Sequence, residues 1–295
     1  QNGRGRVSRA SGGVGVEDAY WIKQDGDSKT WDEVSLFQNP LSLFITEISL
    51  SGKNIHYRTE GGERGNIHTP ELTTLGASAK GWIRGEGGLC LHKVGKYEIS
   101  ADEILSALHI PHIHYAVSQA AEIDCYLTEE RKQWIEGVGE VIVNSGLFTT
   151  EDTAFVTFEE FQLFCGAYGL NAFQEAARMD RDFYLKMQVA DYILNNNDRH
   201  EQNWGFFMDN ASGKITGFCP LFDHDHAFAG HENVMSQTTE EPVLLYDAAA
   251  EAQKELNLDL SALDNMEKPK LLSKKQWDEV LERKKRLEKI GGFYI

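Results

Sequence analysis

The stretch NNNDRHEQNWGFF, residues 195–207, decides how the rest of the chain is read. It sets amides, an acid, a guanidinium and an imidazole directly ahead of an aromatic run. Surface loops are polar and strands are apolar. A segment that must be both is a loop presenting oxygen and nitrogen ligands from a rigid base. Asp198 and Asn203 lie five positions apart at the end of a long helical pattern. Phosphoryl transfer uses such a pair, because one acid must orient an attacking hydroxyl and take its proton while side-chain oxygens hold Mg2+. That spacing is common by chance. Two short apolar strands joined by the turn NASGK give it meaning, because the second runs into PLFDHD and delivers Asp223 at a strand end.

The bulk properties bound the reading. The chain has 295 residues, 41% of them apolar, which suits one large bilobal domain or two small ones and excludes wholesale disorder. Its formal net charge is -17, which disfavours a nucleic-acid backbone or an anionic membrane as the main partner. Cys90, Cys125, Cys165 and Cys219 are scattered, without CxxC or zinc spacing, and read as reduced thiols of a cytoplasmic protein. No stretch approaches eighteen apolar residues and no hydrophobic signal core opens the chain, so a soluble protein is expected.

Residues 1–16 are glycine- and arginine-rich and read as a flexible leader. Residues 17–145 favour strands and turns, with structure beginning near DAYWIK and strand-like runs in LSLFITEISLSGKNIHYRTEGGERGN. One helix stands out there: SADEILSALHI, with a serine cap and a stop at Pro111. Residues 146–295 turn helical. TFEEFQLFCGAYG reads as a threonine-capped helix closing on Gly169. In NAFQEAARMDRDFYLKMQVADYILNNN, Phe173, Met179, Phe183, Met187 and Leu194 recur at helical intervals as core. SKKQWDEVLERKKRLEKI reads as a solvated amphipathic helix. A strand-rich first lobe and a helical second lobe make an α+β architecture, whose sites are expected in the cleft between lobes.

A phosphotransfer site needs two further parts upstream, a lysine on a strand for the α/β-phosphates and a glutamate on the next helix to hold that lysine. GGLCLHKVG offers Lys93 at the end of a strand-like run, and Glu98 stands at the head of the first-half helix. Before them, TTLGASAKGW places Gly76 and Gly81 around small residues, a loop whose amides can approach phosphate oxygens although it lacks GxGxxG. The chain order of loop, Lys, Glu, Asp/Asn and Asp gives weight to parts that are weak singly.

On LGASAKGWI, LHKVGKYEISADEILSALHIPHIHY and NNNDRHEQNWGFF…PLFDHDHAF, the sequence resembles the HipA-like bacterial serine/threonine kinases of toxin–antitoxin modules and their stand-alone relatives. DRHEQNWG is also similar to the DRHxxN loop of phosphoinositide kinases. The resemblance spans roughly residues 72–228 and implies a bilobal protein-kinase-like fold using ATP and Mg2+. By it, Lys93 is the ATP lysine, Glu98 its partner, Asp198 the catalytic base, and Asn203 and Asp223 the Mg2+ ligands. Gly76, Ala77, Ser78 and Lys80 would join Lys93 in binding the nucleotide, with an adenine hinge near EVIVNSGLF. It also implies a protein substrate, an antitoxin-like partner, and autophosphorylation of the phosphate loop at Thr73, Thr74 or Ser78. The chain departs from protein kinases in lacking HRD order and DFG; DHD stands where DFG would.

Three alternatives remain open on the residues alone. One is a nucleotide-binding pseudokinase or interaction module. Another is a phosphoinositide-type lipid kinase, which the negative charge disfavours. The third is a metal hydrolase built on His200, His224, His226 and His231, which lacks an upstream HxxxH or HExxH. His200 is expected to bond the loop backbone. Arg199 is read as either a structural ion pair or a phosphate contact, and Asp225 as a turn acid or a third metal ligand.

Overall fold

The computed structural model describes residues 26, 28–35, 37–39, 43–51, 56–58, 64–66, 80–85 and 87–291. DAYWIK, the 1–16 segment and most of the phosphate loop, with Thr73, Thr74, Gly76, Ala77 and Ser78, lie outside them. The chain divides into two compact units that interleave along the sequence. One takes the described residues up to Val94 with Ala116–Ala154 and Asp209–Gly213; the other takes Gly95–Tyr115, Phe155–Met208 and the chain from Lys214.

The first unit is built on a four-stranded antiparallel sheet of β3 (Lys80–Gly85), β4 (Gly88–Val94), β5 (Ala116–Val117) and β6 (Ile142–Gly146), in the order β3-β4-β6-β5. Strands β1 (His56–Arg58) and β2 (Arg64–Asn66) pair separately. Trp82 and Leu89 form one small apolar cluster, and Ile123, Ile135 and Ile142 another. Helix α1 (Trp31–Val34) carries a Thr30/Glu33 capping box. Glu151 Oε1 anchors this N-terminal stretch by accepting from Trp31 Nε1 at 3.1 Å, Ser35 Oγ at 2.9 Å and Gln38 Nε2 at 3.1 Å.

The strand-like LFITEISLS is in fact helix α2 (Leu43–Ser51). Its β-branched residues favour strand locally, but tertiary packing overrides so weak a preference. Thr46 donates to the Trp82 carbonyl at 3.0 Å, and a Cβ on Gly81 would meet Leu50 Cγ at 3.0 Å, so β3 carries glycine where α2 approaches. Two short helices, α4 (Ala120–Ile123) and α5 (Glu129–Gly137), also fall in a half where sequence reading found a single helix. α4 is a single turn and α5 is short and polar, so neither announces itself by periodicity.

That single helix is α3 (Lys96–Ala107), and by its contacts it belongs to the second unit. It starts at Gly95, earlier than the serine expected to cap it. Ser100 is therefore an interior, buried position. The second unit holds one contiguous core, to which α3 contributes Ala101, Ile104 and Leu105. Helix α6 (Phe158–Ala167) is capped by Thr157 with Glu160 as its box partner, and Gly169 follows at φ 68°, as the sequence indicates. The long pattern after it breaks at Asp180 into α7 (Ala172–Met179) and α8 (Arg181–Leu194), because the Asp180 carboxylate caps Phe183 N–H at 3.0 Å. Met187 and Leu194 are fully buried as expected. Met179, at the end of α7, is exposed.

Strands β7 (Thr153–Thr157), β8 (Gly205–Asp209) and β9 (Lys214–Phe218) form a sheet in that order. Trp204 stacks on Phe158 at 3.8 Å between ring centroids. Helices α9 (Leu245–Leu256) and α10 (Lys274–Gly291) complete the unit. α10 is not merely solvated: Lys284 is buried against Asp264 at 2.8 Å, and burial pushes the Arg283 guanidinium down to about 10 while it donates to the Ile193 carbonyl. Among the described residues no helix is long and apolar enough to cross a membrane.

Candidate active site

Helix α8 ends at Asn195, which turns left-handed at φ 50°, ψ 47° and releases the chain into the loop 196–203. One turn before that end, the helix's otherwise apolar last stretch, VADYIL, carries Asp191, wholly buried. Its carboxylate accepts from Arg199 Nε at 3.2 Å and Nη2 at 3.1 Å, and from Asn196 Nδ2 at 3.1 Å. Arg199 is 2% exposed, and its Nη1 donates to two carbonyls, Asn203 O at 2.8 Å and Phe222 O at 2.5 Å. A buried guanidinium with a carboxylate partner and carbonyl acceptors is a structural ion pair. All three of its nitrogens are engaged inside the protein, which settles the choice that its sequence context leaves open against a phosphate contact.

The consequence is positional. Phe222 precedes Asp223, so one side chain fixes the backbone beside both Asn203 and Asp223. Asp198, half-buried in the loop, is held from two sides. Its N–H donates to Asn196 Oδ1 at 3.2 Å, and its carbonyl accepts from Asn203 Nδ2 at 2.9 Å. With Nδ2 so committed, Asn203 keeps Oδ1 for an electropositive ligand. His200 accepts from Gln202 N–H at 3.2 Å through Nδ1, the backbone role expected of it.

The DHD turn is held by α3. Both oxygens of Glu98 accept the His224 N–H at 3.0 Å. His224 is entirely buried, and desolvation keeps its imidazole pKa below the usual value. Asp223 adopts φ 58°, a left-handed conformation tolerated by aspartate more than by most residues. Such strain persists only where the surroundings enforce it. Carboxylate oxygens of Glu98, Asp223 and Asp225 lie within 4.8 Å of one another. Three hard oxygen donors together, one buried and two half-buried, fit a Mg2+ ion. Asp225 thus sits with the candidate ligands, although its sequence context favours a simple turn acid. Among the described residues two clusters could hold a metal, and neither includes His200, His224, His226 or His231, so the geometry gives the hydrolase alternative no centre.

In the first unit, Lys93 is 2% exposed on β4. Its neighbours across the ladders are Lys80 on β3 and Val143 on β6. Beside it His92 is buried with Nδ1 2.9 Å from Ser118 Oγ, and burial lowers its pKa. Strand β6 lies within the stretch expected to form the hinge. The structure thus brings Asp198 and Asn203 into one loop and Glu98, Asp223 and Asp225 into one cluster, with Lys80 and Lys93 side by side on the sheet. Sequence reading missed Asp191, the residue that anchors the loop. Its signal was available: a lone acid inside a helix segment, VADYIL, that is otherwise buried.

No protein-family model matches the chain, and no curated protein matches it by sequence. Among solved structures, the Helicobacter pylori proinflammatory kinase CtkA is similar, with TM-score 0.50 and 17% identity over 72% of this chain and 92% of that one. HipA, in the Shewanella oneidensis MR-1 toxin–antitoxin complex with HipB and operator DNA, aligns at TM-score 0.39 and 12% identity, over 77% and 66% of the two chains. At these identities the likeness to CtkA speaks to fold alone. The chain has an α+β, protein-kinase-like fold.

Proposed function

We propose that this protein is an ATP- and Mg2+-dependent kinase that phosphorylates serine or threonine hydroxyls of protein substrates, itself among them. The observation that carries the reading is the buried Asp191–Arg199 pair, which holds the Asp198–Asn203 loop and the Asp223 turn as one rigid piece. Rigid placement of an acid beside metal ligands is most of what phosphoryl transfer asks of a protein. Asp198 orients the substrate hydroxyl and accepts its proton. Asn203 Oδ1 and Asp223 would hold Mg2+, with Asp225 assisting, and the ion would supply neutralisation of charge on the transferring phosphate. Lys93 grips the phosphates and Glu98 supports it, while Lys80 and the loop bearing Gly76, Ala77 and Ser78 cover the triphosphate. Glu98 has a second part in this reading, since its carboxylate also fixes the DHD turn. The kinase fold of CtkA agrees with the assignment at the level of architecture.

The four free cysteines suit a reducing compartment and support a cytoplasmic enzyme in this reading. An antitoxin-like partner belongs to the same reading and rests on the sequence resemblance.

Intact-mass spectrometry of the wild type and of Asp198→Ala, each expressed and purified alike, tests the proposal. Phosphate additions on the first and none on the second are expected, with peptide mapping locating at least one on Thr73, Thr74 or Ser78. Both forms unmodified, with no transfer to any lysate protein despite ATP binding, would make the chain a nucleotide-binding module instead.

A further inference from the structure

One turn along α3 from Glu98 lies Asp102, and it faces a different kind of neighbour. After α3 the chain turns at His109, left-handed at φ 53°, passes Pro111, and runs extended. In an extended run, positions i and i+2 share a side, so His112 and His114 point together. Ile113, between them, donates its N–H to the Leu221 carbonyl at 2.8 Å, and Leu221 N–H donates to the Pro111 carbonyl at 3.1 Å. That bridge makes the segment a rigid platform. Asp102 Oδ1 lies 3.1 Å from His112 Nε2 and 2.8 Å from His114 Nδ1. The two rings meet edge to face, 4.7 Å apart.

The tautomer of His112 gives the cluster its meaning. Its Nδ1 is 2.7 Å from the Ile110 carbonyl, a pure acceptor, so Nδ1 carries the proton. In a neutral ring Nε2 then holds a lone pair, aimed at a carboxylate oxygen that also holds lone pairs. His112's side chain is 4% exposed, so water cannot separate them. Ser106 Oγ, 3.3 Å from Nε2, can donate to that lone pair, but the 3.1 Å approach of the Asp102 oxygen still calls for a positive centre, either a second proton or a metal ion.

We propose that Asp102 Oδ1, His112 Nε2 and His114 Nδ1 form a binding site for a divalent transition ion of the Zn2+ class, pinning α3 to the 110–115 segment. The donor set, two imidazoles and one carboxylate, is the borderline set such ions prefer and differs from the all-oxygen set at Glu98, Asp223 and Asp225. The Ile110 carbonyl supplies the outer hydrogen bond that orients a metal-ligating histidine. The ligand atoms lie within 4.8 Å of one another. Tetrahedral zinc with bonds of about 2.0–2.1 Å has ligand–ligand edges of about 3.3 Å. The 2.8 and 3.1 Å contacts therefore open by a few tenths of an ångström on binding. His114, its side chain 77% exposed, is free to make that movement and leaves solvent access for a water as fourth ligand.

Co2+, a coloured stand-in for Zn2+, tests the site on the chelator-stripped full chain without Mg2+ or nucleotide. The expected result is one equivalent of Co2+ giving a tetrahedral visible absorption band that Zn2+ abolishes, kept in Asp223→Asn and lost in His114→Gln. His114→Gln changes an exposed side chain and should leave the fold intact. Independently, Zn2+ should raise the thermal midpoint of the wild type by mass action and leave that of His114→Gln unmoved. A wild type with no band and no Zn2+-dependent midpoint overturns the proposal and makes the cluster a protonated His112–Asp102 ion pair. A band or midpoint shift retained in His114→Gln overturns it equally, since the ion would then sit elsewhere.

Discussion

Strand β4 is paired on both sides, to β3 and to β6, so Lys93 is placed by two backbone ladders. The loop carrying Asp198 lies outside every strand and helix and is placed by side chains: Asp191, Asn196, Arg199 and Asn203. A ladder spreads positional control over many weak bonds, and no single side chain decides it. A loop built on one buried ion pair concentrates that control in two residues. Substitutions behind the loop should therefore cost far more than substitutions behind the strand.

The largest effect is chemical. Asp198→Asn keeps the backbone bonds to Asn196 and Asn203 and, on the proposed role, removes only the proton acceptor. Turnover should fall roughly 100- to 10,000-fold with nucleotide affinity retained. Asp223→Asn should instead remove Mg2+-dependent nucleotide binding, measured by thermal shift with and without the ion. Equal loss of binding in both variants would mean that base and metal ligand are not separate roles.

Next comes the anchor itself. Arg199→Met leaves Asp191 buried without its cation and should destabilise the protein by about 3–5 kcal/mol in denaturant unfolding. Activity should drop further than the loss of folded protein explains, because the Asn203 and Phe222 carbonyls lose their shared donor. Lys93→Met removes a group from a position that ladders hold, so it should abolish activity while leaving unfolding much closer to wild type. The reverse order of stabilities would break the comparison.

The same contrast explains what the sequence made legible. The strands around Lys93, helix α6 with its Thr157 cap, and the β8–β9 pair follow from local pattern and turn chemistry, and they stand where that pattern puts them. Asp198, Asn203 and Asp223 could be named as candidates because phosphotransfer asks for those residue types in that order. Arg199 was not, since DRHEQN looks like any polar loop and only the fold shows the guanidinium turned inward onto Asp191. Helix α2 was missed because β-branched residues suggest strand and packing cannot be read locally. The Asp102–His112–His114 cluster was invisible because its members are ten and two positions apart across a helix end.

A third experiment sharpens the comparison at the loop's exit, where chain geometry takes over from side chains. Gly205 opens β8 so close to β7 that an added Cβ would strike the Val156 carbonyl and lie 3.0 Å from Phe155 Cε2 and Thr157 Cα. Backbone cannot swing aside as a flexible side chain can. Gly205→Ala should cost about 1–3 kcal/mol in unfolding free energy, less than the anchor variant.

The smallest effect belongs to the first unit, at Glu151, which is also a hub but an exposed one. Its hydrogen bonds from Ser35, then Gln38 and Trp31, hold its carboxyl below the ordinary glutamate range. A carboxylate whose pKa is depressed by folding adds stability above its unfolded pKa and loses it as pH falls through the folded value. The clamp on α1 should accordingly release only under acid conditions, below about pH 4.3, the unperturbed glutamate value. The indole N–H resonance of Trp31, assigned by its loss in Trp31→Phe, reports the event directly. It should shift as the carboxyl protonates in the wild type and stay flat in Glu151→Gln, which keeps a neutral acceptor oxygen. Global stability should barely change between the two at neutral pH, because neutral donors on an exposed oxygen are replaceable by water. A Glu151→Gln loss as large as that of Arg199→Met would mean that exposure does not separate the two hubs, and that the first unit leans on a single side chain as heavily as the loop does.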